Sequence, residues 1–156
     1  FGGEPANFLD IGTSASSEQI TQAVKIIMMD PKVRTIFVNI FGGMAKCDAV
    51  AEGLLKAVRE LDLKIPVVAR IQGNNYELGR KLIKDANTNI ITSDEFGESA
   101  EMAVRCAKIM KLADCGRLNA ALSMNLKCDC NEDKPAFYPT VPPPSDGKTK
   151  PKKREW

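Results

Sequence analysis

The chain has 156 residues, of which 44% are hydrophobic and 27% charged, and its formal net charge is +2. This composition predicts one globular domain with a tail, and no apolar run approaches the roughly 20 residues of a membrane span. The chain contains no histidine, which excludes Ser-His-Asp and Cys-His catalysis and histidine metal sites within this chain alone.

The charge is distributed unevenly along the chain. Residues 145–156 hold two acidic side chains and five basic ones: Lys148, Lys150, Lys152, Lys153 and Arg154. The remainder is close to neutral, so there is no electrostatic reason to expect nucleic acid as the main ligand. The chain begins at Phe1 without a methionine or a recognisable signal segment, so we expect a fragment or a processed product.

The first predicted elements are a short strand at residues 7–11 and a helix. Ser16, followed three positions later by Gln19, forms the pattern of a capping box, and apolar residues at helical spacing follow it. The helix is expected to stop near Asp30, because Pro31 disfavours helical geometry in the residue before it.

The central stretch joins an apolar strand at residues 33–41 to a helix-patterned segment at residues 47–61 through Gly42 and Gly43. The helix-patterned segment places Val50, Leu54, Val58 and Leu61 on one inward stripe. The first amides of a helix lack intrahelical partners, and that end carries partial positive charge, so strand, glycine turn and helix start together indicate an anion site. Lys46 adds a positive charge. The alternative is a tight turn without a ligand.

The second half of the chain continues the alternation. It contains predicted strands at residues 64–71 and 89–92, a glycine turn at Gly73, a helix at residues 76–86, and a helix at residues 95–113 capped by Ser93 or Asp94. This order predicts an α/β fold with a doubly wound parallel sheet in three layers, α/β/α. Ligands of such sheets bind at the carboxyl ends of the strands, where Gly12, Gly42, Gly43 and Gly73 are expected.

The chain has five cysteines, an odd number, whereas a secreted disulfide framework usually pairs an even number in a smaller, loop-rich chain. Cys128 and Cys130, near Cys115, have a spacing that a metal site could use, although a fourth ligand is missing. Cys47, at a helix start, would have a lowered thiol pKa if it were exposed, and a half-buried structural thiol is the alternative.

Regular patterning ends after Cys115, and six prolines follow: Pro135, Pro139, Pro142, Pro143, Pro144 and Pro151. We therefore divide the chain into a domain at residues 1–115 and a basic tail at residues 116–156, with disorder expected over its last twenty residues or so. The basic run at residues 150–154 is interpreted as solvated, the alternatives being an acidic docking partner or a nuclear-import signal.

Five segments carry a family likeness: residues 2–10, 38–43, 47–48, 65–68 and 89–91. In combination they closely resemble the carboxy-terminal CoA-ligase domain of the succinyl-CoA synthetase β subunit, most of all the ADP-forming animal type. The resemblance covers about residues 1–113, which is nearly the whole predicted domain.

The resemblance implies a flavodoxin-like domain paired with an α subunit that binds CoA and holds a phosphorylated histidine. The implied reaction of the tricarboxylic acid cycle converts succinate, CoA and ATP into succinyl-CoA, ADP and phosphate, through succinyl phosphate and phosphohistidine. Gly43, Met44 and Ala45 would bind substrate and phosphate through backbone amides, and Gly42 would shape the turn. No catalytic side chain and no metal ligand is assigned to this chain.

The resemblance further implies that ATP or ADP and Mg²⁺ bind an upstream ATP-grasp domain, which is absent here, so the isolated chain is expected to be inactive. A location in the mitochondrial matrix follows from the resemblance alone.

The chain departs from the family at two places. Thr13 and Ser14 stand where the family commonly has glycines, so a positive φ at either residue would be strained. Met44-Ala45-Lys46 replaces the commoner Ile-Met-Arg or Ile-Val-Arg, and lysine lacks the bidentate geometry of arginine. The alternatives are a diverged, non-catalytic paralogue that acts as an interaction or scaffold protein, and an independent nucleotide-binding module.

Overall fold

The computed structural model describes residues 1–122. Its elements alternate along the chain: α1 (Ser17–Ile27), β1 (Ile36–Lys46), α2 (Cys47–Glu60), β2 (Val67–Asn74), α3 (Tyr76–Asp85), β3 (Ile90–Thr92) and α4 (Phe96–Cys115). The predicted disorder, the Cys128 and Cys130 metal hypothesis, and the basic run at residues 150–154 lie outside the described residues.

The three strands form one parallel sheet in the order β1-β2-β3. Ile36 lies opposite Val67, and Val67 lies opposite Ile90, so the three strands start level with one another. β3 is short and ends opposite Ala69, whereas β1 and β2 continue to Lys46 and Asn74. Helices cover both faces, because α2 and α3 pack on one face and α4 packs on the other. The predicted α/β architecture, a parallel sheet wound on both faces, is confirmed.

The larger part of the core lies between the sheet and the helices α1, α2 and α3. Leu54 of α2 is 2% exposed and Val50 is 5% exposed, which confirms the predicted inward stripe of this helix, while Glu52, Lys56 and Arg59 face solvent. The smaller cluster joins α4 to the other face of the sheet through Val68, Ile91, Ala103 and Cys106.

The predicted strand at residues 7–11 does not form. Gly3 instead lies against Val104 of α4, and the Asn7 side-chain amide donates to the carbonyl of Ile27 at the end of α1 (3.2 Å). These contacts hold the segment against helices on both faces, so its backbone does not join the ladder at the free edge of β1. Phe8 remains 89% exposed.

The helix boundaries test the capping predictions. The capping box of α1 is confirmed, since the Ser16 amide donates to Gln19 Oε1 (2.8 Å) and the Gln19 amide donates to Ser16 Oγ (3.4 Å). The predicted cap of α4 by Ser93 or Asp94 is wrong, because Glu95 occupies the cap position without a side-chain hydrogen bond. Asp94 instead pairs with Arg80.

A matched pair of substitutions tests the packing of α1 on α2. Gly53→Ala is expected to destabilise the chain by about 1–3 kcal/mol, because the new Cβ would lie 2.7 Å from Ile20 Cβ and 2.8 Å from the Ser17 carbonyl oxygen. Gly97→Ala in α4 meets nothing within 4 Å and is expected to stabilise by up to about 1 kcal/mol. Guanidinium unfolding measures both, and equal effects would contradict the close helix approach.

Within residues 1–122, no helix combines the length and apolarity that crossing a membrane requires.

Candidate functional site

The segment after Phe41 is a bulged end of β1 and not the predicted turn. Gly42 lies opposite Gly73, and the next paired residue, Lys46, lies opposite Asn74. The three residues between them, Gly43 to Ala45, therefore have no opposite residue on β2. We call these three residues the bulge loop.

The bulge forms for two local reasons. Gly42 has a φ of +121°, a backbone conformation that residues with a Cβ rarely adopt, so glycine accommodates the bend at the start of the bulge. Ala45 is only 8% exposed and Cys47 is fully buried, and both side chains belong to the larger core cluster. The loop is thus anchored at its carboxyl end while Gly43 and Met44 face solvent, Met44 with 79% of its surface exposed.

Helix α2 begins immediately after the bulge. Its cap residue, Lys46, makes no side-chain capping hydrogen bond, so the first amides of α2 have neither intrahelical acceptors nor a side-chain cap. These amides and the exposed Lys46 side chain together favour a negatively charged group at this point.

Asp48 lies in the first turn of α2 and opposes part of this attraction. Its Oδ2 accepts a hydrogen bond from the Asn75 side-chain amide (3.1 Å), and its Oδ1 is buried without a partner. A carboxylate at this position stabilises the helix end, so the pull on an external anion comes mainly from oriented backbone amides and not from net charge.

The departure from the family at Thr13 and Ser14 causes no backbone strain. Among the described residues, the non-glycine residues with positive φ are Asp62, Asn75, Asn87 and Arg117. Neither Thr13 nor Ser14 requires the conformation that glycine would have made easy.

A polar cluster at the same sheet edge was not predicted. Arg70 donates to the Asn39 side chain (3.1 Å), the Gln72 side chain (2.8 Å) and the Asp94 carbonyl (2.9 Å). Its guanidinium also lies 5.2 Å from the ring centroid of Phe41, at the distance of a cation–π contact. An arginine within the otherwise apolar run Val67 to Ile71 is the sequence signal that could have revealed it.

The cysteine at the start of α2 is a buried thiol. Burial raises the pKa of the Cys47 thiol, and the neighbouring Asp48 charge raises it further, so the lowering expected for an exposed thiol does not occur. Burial also raises the pKa of Cys106. In the described part of the chain, no three His, Cys, Asp or Glu side chains are placed to hold a metal ion.

Thiol labelling is expected to separate these cysteines. At pH 8, Cys115, which is exposed, should react at least about tenfold faster than Cys47 and Cys106, because a raised pKa lowers the thiolate fraction and burial blocks access. Alkylation followed by peptide mass spectrometry measures each rate, and the denatured chain provides the reference. Rapid labelling of Cys47 in the folded chain would contradict its burial.

The bulge loop lies outside the two best-formed clefts of the described residues. One is lined by residues around Asp10 to Gln19, and the other lies between α2 and α3. The loop therefore lies at the carboxyl ends of the strands, outside both clefts.

A parallel sheet covered by helices on both faces, with a bulged strand end leading into a helix at the carboxyl ends of its strands, defines a doubly wound α/β domain. The family described as CoA-ligase matches residues 1–104. The chain belongs to this family.

Relatives in bacteria and a fungus are named as β subunits of ADP-forming succinate–CoA ligase. The Rhizobium meliloti protein is 52% identical over 108 residues, which are 69% of this chain and 27% of the relative. The Neurospora crassa protein, named mitochondrial, is 50% identical over 112 residues, 72% of this chain and 25% of the relative. The Haemophilus influenzae protein is 47% identical over 108 residues, 69% of this chain and 28% of the relative. The chain thus spans about a quarter of the length of these relatives.

Proposed function

We propose that this chain supplies the phosphate- and substrate-binding loop of an ADP-forming succinate–CoA ligase β subunit. Gly43, Met44 and Ala45 bind through backbone amides, and Gly42 sets the geometry. The observation that carries this proposal is the placement of three residues without a partner on β2, with only Lys46 between them and an uncapped helix. Over 108 residues the chain is about half identical to a subunit with that name.

The proposed reaction interconverts succinate, CoA and ATP with succinyl-CoA, ADP and phosphate, through succinyl phosphate and phosphohistidine. This chain's part is electrostatic. Amides fixed by the bulge and by the first turn of α2 donate to the oxygens of the migrating phosphoryl group, whose negative charge is spread over those oxygens. Because the fold orients these dipoles in advance, little reorganisation is required when the group arrives.

The phosphorylated histidine must come from another polypeptide or another part of the enzyme, because this chain has no histidine. We assign it, together with the CoA site, to an α subunit docked on the carboxyl edge of the sheet. The open position of the bulge loop supports this assignment, since a phosphoryl group held there would remain in water without a second surface.

Nucleotide and Mg²⁺ are assigned to the part of such a subunit that this chain does not span. A place in the tricarboxylic acid cycle and in the mitochondrial matrix belongs to the same proposal, supported by the mitochondrial name of the Neurospora crassa relative.

The test is a hybrid enzyme in which this whole chain replaces the matching part of the Rhizobium meliloti β subunit, assembled with that organism's α subunit. We expect succinyl-CoA formation from succinate, CoA and ATP, and transient histidine phosphorylation on the α subunit. The same β subunit without the replaced part is the negative control. A hybrid that assembles but neither forms succinyl-CoA nor becomes phosphorylated would contradict the proposal.

The scaffold alternative makes a different prediction about the tail. Deleting residues 116–156 from the hybrid should leave ligase activity unchanged if the CoA-ligase domain carries the function. The scaffold alternative would be favoured if the hybrid showed no ligase activity and the deletion abolished binding to a partner protein. The matching relatives carry the name of a ligase subunit, so that alternative gains no support from them.

A further inference from the structure

Gly73, the second-last residue of β2, packs against the bulge at the end of β1. A Cβ added to Gly73 would lie 2.8 Å from the carbonyl oxygen of Gly42, 2.9 Å from that of Ala45 and 3.0 Å from Cys47 Sγ. Two of these three atoms are backbone, so the bulge itself would have to move. The absence of a side chain at Gly73 therefore lets the bulge loop lie directly on β2.

Gly79 makes an equivalent contact from α3. Its added Cβ would lie 2.6 Å from the carbonyl oxygen of Cys47 and 2.9 Å from its carbonyl carbon. Gly79 is buried, and the first residue of α2 packs against its backbone. The start of α2 is thus seated on α3 through a contact that only glycine permits.

Asn75 links the same two elements by a hydrogen bond. It has a φ of +58°, and its side-chain amide donates to Asp48 Oδ2 in the first turn of α2. Residues 73–79, which we call the brace, therefore contact both ends of the bulge and the helix that follows it.

We propose that the brace sets the position of the bulge loop, and that Gly73 and Gly79 are positioning residues for phosphoryl transfer. This inference rests on the proposed function, because it concerns the same loop. Neither glycine is placed to touch the phosphoryl group; each acts through the backbone of Gly42, Ala45 or Cys47.

The expected effect follows from the geometry of the added atom. To reach ordinary contact with two carbonyl oxygens, the bulge must shift by several tenths of an ångström or more in Gly73→Ala. Misplacement of a catalytic group by about 1 Å can cost about 100-fold in rate. We therefore expect kcat of the hybrid enzyme to fall about tenfold or more, with KM for CoA and for nucleotide unchanged, because those sites lie elsewhere.

Gly53→Ala is the matched control for a purely structural effect. It introduces a clash of the same severity, with Ile20 and Ser17, but at a site that does not contact the bulge. We expect Gly53→Ala to lower the melting temperature as Gly73→Ala does, and to leave kcat unchanged at a temperature where both variants are folded.

A second variant avoids added bulk. Asn75→Gly keeps the positive φ, which glycine adopts freely, and removes only the hydrogen bond to Asp48. Loss of one such bond is expected to lower kcat about three- to tenfold. The melting temperature should not fall, because the ease with which glycine adopts this φ offsets the lost bond. Asn87→Gly, at another positive φ of +46° after α3, is its control and should change neither quantity.

Amide hydrogen exchange, measured on this chain of 156 residues, reports directly on the mobility of the bulge loop. We expect faster exchange at Met44 and Ala45 in Gly73→Ala, Gly79→Ala and Asn75→Gly, and no change there in Gly53→Ala or Asn87→Gly. These results with the kcat losses would support the brace.

The outcomes separate this inference from the proposed function. If Gly73→Ala and Asn75→Gly retain full kcat while Gly43→Val is inactive, the brace is overturned and the loop's role stands. If all three retain full kcat, both proposals are overturned. If Gly73→Ala does not fold, Asn75→Gly alone decides, and its full kcat with unchanged exchange would overturn the brace.

Discussion

Gly43→Val is expected to lower kcat of the hybrid ligase by about 100-fold or more, the effect of removing a preorganised donor from an oxyanion site. A valine side chain at the first residue of the bulge loop would cover the amides that the phosphoryl group must approach. The measurements are succinyl-CoA formation and the rate of phosphohistidine turnover on the α subunit. KM for CoA should not change, because CoA binding is assigned to the partner.

The structure separates this loss from misfolding. A Cβ at Gly43 meets nothing within 4 Å, and Gly43 does not have a positive φ, so a side chain there costs the fold little. Gly12→Val is the matched control, since Gly12 has equally open surroundings and lies in the segment before α1. Normal turnover in Gly43→Val, with an unchanged melting temperature, would remove the loop from the mechanism.

Leu54→Ala is expected to destabilise the chain by about 3 kcal/mol, within the range for truncating a buried leucine. Leu54 is 2% exposed and lies at the centre of the inward stripe of α2, within the cluster that joins α1, α2 and α3 to the sheet. The side chain's removal leaves a cavity that the surrounding strands and helices can fill only in part. Guanidinium unfolding followed by circular dichroism measures the free energy.

Leu112→Ala supplies the comparison for that measurement. Leu112 is 71% exposed in α4, so the same chemical change should alter the unfolding free energy by no more than about 0.5 kcal/mol. Similar losses in the two variants would mean that the α2 stripe is not the centre of the core.

The alternation of helices and strands could be predicted because it depends on local patterns. The capping box at Ser16 and the spacing of Val50 and Leu54 act within one or two helical turns, and both predictions agree with the structure. The prediction of a strand at residues 7–11 was wrong, because the pairing of a strand with its neighbours in a sheet depends on residues distant in sequence. Its apolar pattern suits a strand, but Asn7 and Gly3 hold it against α1 and α4.

The candidate site could be predicted in position but not in form. Gly42 and Gly43 lie where the bulge begins, whereas the continuation of β1 to Lys46 depends on pairing with Asn74. No local pattern reveals that pairing. The contacts of Gly73 and Gly79 with the bulge were hidden for the same reason, since a glycine's neighbours across the fold cannot be read from its neighbours in sequence.

The proposed ligand-binding groups of the bulge loop are main-chain amides, and its most exposed side chain, Met44, lies in solvent. Evolution can therefore exchange that side chain freely while the chemistry persists. Saturation mutagenesis should find position 44 permissive and positions 42, 73 and 79 intolerant. The residues on which the loop depends would then be glycines, which have no side chain beyond Cα.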